Sequence, residues 1–231
     1  MEEDRLSLMP VALFQKRSGM KLYTFFRATA PYRMRIALNL KGIAYEPEYV
    51  NLPSMEHHGP DYTRVNPQRL LPALVDDETI LIQSLATMEY LEETQPEPAL
   101  LPRAPADRAY VRAIAQMVAC EMHPLNNLRV LKYLEGALDQ DEATRQAWYA
   151  HWIAEGFAAI ESLLVERGLA GKFCYGDQVT MADVCLIPQV FNGQRFNCPL
   201  DAYPTIMGIF QNCQVLKPFI DAHPESQTDK V

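Results

Sequence analysis

Apolar positions change their period several times between Lys21 and Thr94, and then settle into one long period. "KLYTF" at 21–25 alternates as a half-buried strand does, and the pattern from Pro31 to Lys41 repeats as a helix closed by Gly42. "YEPEYVNL" at 45–52, "LLPALVD" and "TILI" predict three more short strands, and "SLATMEYLEET" predicts a helix capped by Ser84. This is the order of a small α/β unit over residues 20–95. The stretch "QPEPALLPRAP" holds four prolines in eleven residues and predicts an extended linker, set at 96–105. From Asp107 to about Phe219 the apolar residues follow helical spacing without strand alternation, so 106–231 is expected to be an all-helical bundle. No internal repeat or low-complexity tract interrupts it. Residues 1–19, "MEEDRLSLMPVALFQKRSG", read as an extension outside the core; their acidic start and Pro-broken apolar stretch are unlike a secretory signal.

Charge sharpens this picture. The chain has 231 residues, 48% of them hydrophobic and 22% charged, with 29 Asp and Glu against 21 Lys and Arg, a net charge of −8. That balance argues against nonspecific attraction to nucleic acid or to an anionic membrane surface, so a basic site has to be a local pocket. No apolar run reaches the length of a membrane span. Five cysteines without a Cys-x-x-Cys pair fit reduced, packing thiols in a cytoplasmic protein. Among the five histidines only the adjacent His57 and His58 are close in sequence, which predicts no metal site.

Against the acidic background, Arg27 and Arg33 stand at the predicted start of a helix, where backbone N–H groups already favour negative charge. Arginine there points to an anionic ligand. Pro72 precedes a predicted strand, where a tight turn with a cis peptide bond would explain it and an ordinary trans turn would fit as well. In a cis turn, Leu71 would offer its backbone N–H and C=O to an extended peptide ligand. Gln83 and Ser84 open a helix whose free N–H groups suit a carboxylate, although a simple cap uses the same residues. Thr180 and Asp183 form a Thr-x-x-Asp capping pattern at the start of a predicted core helix.

The order of these features, an α/β unit with X-Pro before a strand, Gln-Ser at a helix start, a Pro-rich linker and a helical half, resembles the cytosolic glutathione transferases over residues 20 to 223. Within them, Ala28-Thr29-Ala30-Pro31-Tyr32-Arg33-Met34-Arg35-Ile36-Ala37-Leu38 is similar in its tail to the zeta-class signature, as are "IQSLATMEYLEETQPEPALLP" and "TMADVCLIPQV". "HPLNNLRVLKYL" resembles the bacterial maleylpyruvate isomerases of that class. The resemblance implies a thioredoxin-like N-terminal domain, an all-α C-terminal domain, glutathione as cofactor, a small dicarboxylate substrate and a homodimer. It further implies cis-trans isomerisation of a maleyl diketo acid by reversible thiolate addition. Arg27, Arg129 and Arg195 would surround the substrate carboxylates and developing enolate. Thr29 and the Ala30 N–H would hold the thiolate, with Pro31 as first helical residue. Glutathione would also meet His57, Leu71, Pro72, Gln83 and Ser84, with His123 and Asn127 sharing a helix face toward the cleft.

The reactive head of the signature departs from the class. Ala28 replaces the serine credited with holding the thiolate, and Ala30 replaces the cysteine. Thiolate activation is in any case a limited lever. A thiol of pKa about 8.5 is about 3% ionised at pH 7, so lowering it to about 7 gains roughly fifteenfold, or about 1.6 kcal/mol. The remainder falls to positioning and to arginine. Two other readings use the same residues: transfer or dehalogenation chemistry on small electrophiles such as α-haloacids, and a noncatalytic glutathione-fold binding protein.

Overall fold

A computed structural model describes residues 19–230; the expected extension at 1–19 therefore lies, but for Gly19, outside the described residues. The N-terminal unit runs β1 (Met20–Thr24), α1 (Thr29–Leu40), β2 (Tyr45–Tyr49), α2 (Pro60–Val65), β3 (Ala73–Asp76), β4 (Thr79–Ile82) and α3 (Ser84–Thr94). Its four strands lie in the order β2-β1-β3-β4, with β1 and β2 parallel and the remaining pairs antiparallel. Met20, Leu22 and Thr24 turn inward from β1 and the residues between them are half-buried, the alternation expected of a strand with two unlike faces. Pro47 is accommodated because β2 is an edge strand, where a missing N–H costs no inner ladder bond.

Two expectations for this unit need correction. Helix α1 begins at Thr29, with Ala28 as its N-cap, so Pro31 is its third residue and not its first. The physical case for proline survives, since the first four helical N–H groups have no helical acceptor. Ser84 does not cap α3; Gln83 holds that position with a φ of 69°, and Ser84 is the first helical residue. Its hydroxyl lies 3.5 Å from Arg33 Nη1 instead. The Leu71–Pro72 bond is cis.

The segment between the two halves is pinned. Lys41 Nζ sits 2.6 Å from Glu92 Oε1 and donates to the carbonyls of Gln95 and Pro98 at 2.7 and 3.1 Å. Glu92 in turn accepts from the Leu100 N–H at 2.9 Å, and the Met181 N–H donates to the Leu100 carbonyl at 2.8 Å. Prolines supply no N–H, so the stretch is held through its carbonyls by a buried ammonium.

Helices then follow one another: α4 (Pro105–Gln116), continued by a π turn at Met117–Met122, α5 (Leu128–Gly136), α6 (Glu142–Arg167), α7 (Met181–Arg195), α8 (Pro204–Gln214) and α9 (Lys217–Ala222). Helix α7 is the hub, buried from Met181 through Val190 and packed on α1, α4 and α8. Its first turn is fixed by Asp183, whose carboxylate accepts from Thr180 N–H and Cys174 N–H, both at 2.8 Å. Burial pushes that carboxyl up in pKa and the backbone donors pull it back. His123 and Asn127 do not share a helix. Pro124 has no N–H to extend the ladder, so 123–126 form a turn and Asn127 caps α5, its side chain accepting from the Arg129 N–H at 3.0 Å. Four of the five cysteines are buried as expected of packing thiols, whereas Cys120 is exposed.

Candidate active site

The loop from Phe25 to Ala28 carries Arg27 to the junction of the two halves, and a buried guanidinium holds that loop in shape. Arg35, on the inner face of α1, donates to Thr24 Oγ1 at 3.0 Å, to the Phe25 and Phe26 carbonyls at 3.4 and 2.7 Å, and to the Ala222 carbonyl at 3.0 Å. Five donors in a fixed plane allow one side chain to satisfy several carbonyls of an irregular turn. Asp229 adds a further tie by accepting from the Phe26 N–H at 2.9 Å. With the turn fixed, the free N–H groups of the first turn of α1 open into a cavity of about 610 Å³.

That cavity gathers most of the residues expected from the sequence. Arg27, Thr29, Ala30, His57, Leu71, His123, Asn127, Arg129 and Arg195 all line it. Pro72, Gln83 and Ser84 do not; Pro72 and Ser84 are buried and Gln83 is exposed, its Nε2 donating to Gln68 Oε1 at 2.7 Å, and Gln68 faces the cavity. Leu71 makes no backbone hydrogen bond among the described residues, so its peptide groups are free for a ligand.

Sequence reasoning missed several lining residues: Met55, Arg69, Lys132, Tyr149 and Asn192. Asn192 had a signal, since it lies one helical turn before Arg195 on the same face. Its Nδ2 donates to Thr29 Oγ1, and its Oδ1 lies 3.5 Å from Arg195 Nη1. Met55 had none, because it reaches the cleft through a backbone turn with φ of 61°, where Lys132 Nζ lies 3.1 Å from its sulfur.

Electrostatics set this wall apart from the rest of the molecule. Five cationic side chains line the cavity, Arg27, Arg69, Arg129, Lys132 and Arg195, and no Asp or Glu does. In a chain with 29 acidic residues, none of these five forms an ion pair among the described residues. Arg27 lies over the rings of Phe25 and Phe26 and Arg195 over Phe196, each an aromatic support in place of a carboxylate. Burial lowers the pKa of Arg195, with repulsion from Arg27 adding to it. His123 is pushed well down by its surroundings and then by the charges of Arg33 and Arg129, which keeps its imidazole neutral. The His57 pKa is also lowered, by burial and then by His58 and Lys132, and its Nδ1 has no partner among the described residues. Cations held apart from carboxylates are costly without an anion, so the wall fits a ligand with several negative charges. Among the described residues no group of acids, histidines and cysteines could hold a metal.

A mixed four-stranded sheet with a helix N-terminus at the cleft, a cis-proline turn beside it and an all-helical second half together define a glutathione transferase fold. Residues 31–94 match the family described as glutathione S-transferase, N-terminal domain. The chain is 45% identical over 213 residues to a maleylacetoacetate isomerase of Pseudomonas aeruginosa, covering 91% of this chain and 98% of that one. It superimposes with a TM-score of 0.90 on a holo maleylpyruvate isomerase, described as a bacterial zeta-class glutathione S-transferase, at 44% identity over 91% of this chain and 100% of the other. A maleylacetoacetate isomerase of Methylobacterium extorquens, solved with malonate and glutathione bound, gives a TM-score of 0.87 at 39% identity over 90% and 97% of the two chains. The chain belongs to the zeta-class glutathione transferases, the maleylpyruvate and maleylacetoacetate isomerase family.

Proposed function

We propose that this protein isomerises a maleyl diketo acid, maleylpyruvate or maleylacetoacetate, to its fumaryl isomer with glutathione as cofactor, in the breakdown of aromatic compounds. The observation that carries this reading is the acid-free cationic wall beside the N-terminus of α1. Glutathione, when bound, supplies a thiolate that adds reversibly to the conjugated double bond and leaves after rotation about the resulting single bond. The residues present fit it: N–H groups at the start of α1, the Leu71 peptide and His57 Nδ1, all without a partner among the described residues. Thr29 and the Ala30 N–H hold the sulfur, while Arg27, Arg129 and Arg195 bind the two substrate carboxylates and the carbonyl oxygen that gains charge. Guanidinium forks suit that work because they bind planar anions at two points. Asn127 is free to donate through its amide nitrogen, since its oxygen already caps α5. Gln83 and Ser84 are assigned to the γ-glutamyl carboxylate of glutathione, next to Gln68, to which Gln83 is bonded. The reading includes a homodimer, and a cytoplasmic location that the free thiols favour; no helix of the described residues is long and apolar enough to cross a membrane.

The test is a spectrophotometric assay of both substrates with and without glutathione. Turnover that requires glutathione is expected for at least one of them. Glutathione binding with no turnover of either substrate would sink the isomerase reading and favour the binding-protein alternative, to which Ala28 and Ala30 lend support.

A further inference from the structure

We propose that Asn192 is a positioning residue that turns the Thr29 hydroxyl proton into the cleft, so that it donates to the glutathione sulfur; this rests on the reading just given. The argument is one of hydrogen-bond polarity. An arginine can only donate, so Arg195 Nη1, 3.5 Å from Asn192 Oδ1, fixes the amide oxygen on its own side. The amide nitrogen then faces Thr29. An NH₂ group can only donate, so Thr29 Oγ1 accepts there and its own proton has to point elsewhere.

Few other directions remain. Thr29 and Asn192 are 5% and 7% exposed, which leaves little room for water between them. A helical threonine can turn its proton back to the carbonyl four residues earlier, here Phe25. That oxygen already accepts from the Ala28 N–H at 3.1 Å and from Arg35 Nη1 at 3.4 Å. The cavity is the direction left open, and both residues line it. With alanine at positions 28 and 30, this is the single side-chain hydroxyl of the turn. The chain of donors Arg195 to Asn192 to Thr29 thus joins the arginine at the substrate side to the hydroxyl at the sulfur side.

The experiment is a double-variant cycle read by the ultraviolet absorbance of the bound thiolate as pH is varied, with calorimetry to verify glutathione binding. Asn192→Asp reverses the polarity, because a carboxylate accepts from both Arg195 and Thr29 and draws the proton away from the sulfur. It also adds a charge, so it is measured with threonine and with valine at position 29. The other charged and titratable groups of the wall are unchanged in every arm: Arg27 beside α1, Arg69, His57 and His58 on the loops, His123 in the turn, Arg129 and Lys132 on α5, Tyr149 on α6, and Arg195 on α7. In the threonine background Asn192→Asp should raise the thiol pKa by about one unit more than in the valine background, the size of one hydrogen bond to a charged acceptor. Equal shifts in both backgrounds overturn the proposal. If Asn192→Asp does not fold, Asn192→Leu serves in the same cycle, with a smaller rise in the threonine background and none with valine; equal rises refute it. Absence of glutathione binding by the unaltered protein would overturn the functional reading and this proposal together, whereas binding with equal shifts removes only the proposal.

Discussion

Removing Arg27 from the wall and removing the hydroxyl of Thr29 should produce opposite pairings of activity and stability. Arg27 and Arg195 have no acidic partner among the described residues, and Arg27 repels Arg195. Arg27→Ala relieves that repulsion, so its melting temperature should hold or rise slightly, as happens where function has been placed against stability; Arg195→Ala relieves it too but leaves the buried Asn192 Oδ1 without its donor, so its melting temperature should fall. Turnover should fall by roughly 3 to 4 kcal/mol, two to three decades, since in the proposed reading each guanidinium does the work of an oxyanion donor. Thr29→Ala behaves in the other sense. It leaves the buried Asn192 amide nitrogen without its acceptor, a loss of about 1 to 3 kcal/mol in stability. Its effect on turnover is bounded by the thiolate fraction at about 1.6 kcal/mol plus a modest positioning term. The assay is kcat and KM for maleylpyruvate or maleylacetoacetate at saturating glutathione, beside thermal denaturation of the same preparations. If Thr29→Ala abolishes isomerisation while both arginine variants stay near wild type, the arginine assignment is wrong and hydroxyl activation governs the rate.

Four further outcomes are expected. Lys at position 129 should restore little of the activity lost in Arg129→Ala, since an ammonium cannot make paired contacts with a carboxylate; steady-state kinetics at two or more substrate concentrations decides it. Lys41→Met should cost about 3 to 5 kcal/mol in urea denaturation by leaving Glu92 buried and unpaired, and adding Glu92→Leu should recover much of that; a single-variant loss under about 1 kcal/mol would contradict the pinning role of Lys41. His123 has its folded pKa below the unfolded value of 6.5, so the unfolded chain takes up the proton first and stability should fall as pH drops below about 6.5; His57 and His223 act in the same direction, and His123→Asn should flatten the fall in melting temperature between pH 7 and 5. Sedimentation at micromolar concentration should give a dimer, and a single monomer species would remove the assembly from the reading.

Much of this was legible along the chain because it is local. The periods of "KLYTF" and "SLATMEYLEET", the Thr180 and Asp183 pattern and the glycine that closes α1 each act within a few residues, and each appears where the sequence puts it. Arg27 stands out by itself as an arginine at a helix start in an acidic chain, whereas Arg129 and Arg195 are nominated by the resemblance to the zeta class. Whether they met could not be read. Arg27 and Arg195 are 168 positions apart, and they face one cavity because α7 is buried against α1 and because Arg35 holds the intervening turn through carbonyls drawn from both ends of the chain. One error fell where a tertiary contact overrode a local preference, Ser84 leaving its cap for Arg33; the other was a local signal passed over, since the helix expected to join His123 to Asn127 breaks at Pro124, and both residues still face the cleft. The sequence thus determined the elements and the kind of anion chemistry available. Tertiary structure decided which side chains share the site and, through the fixed donor-to-acceptor order of Arg195, Asn192 and Thr29, which way a single proton points, because polarity in a buried hydrogen-bond chain is set by its neighbours in space.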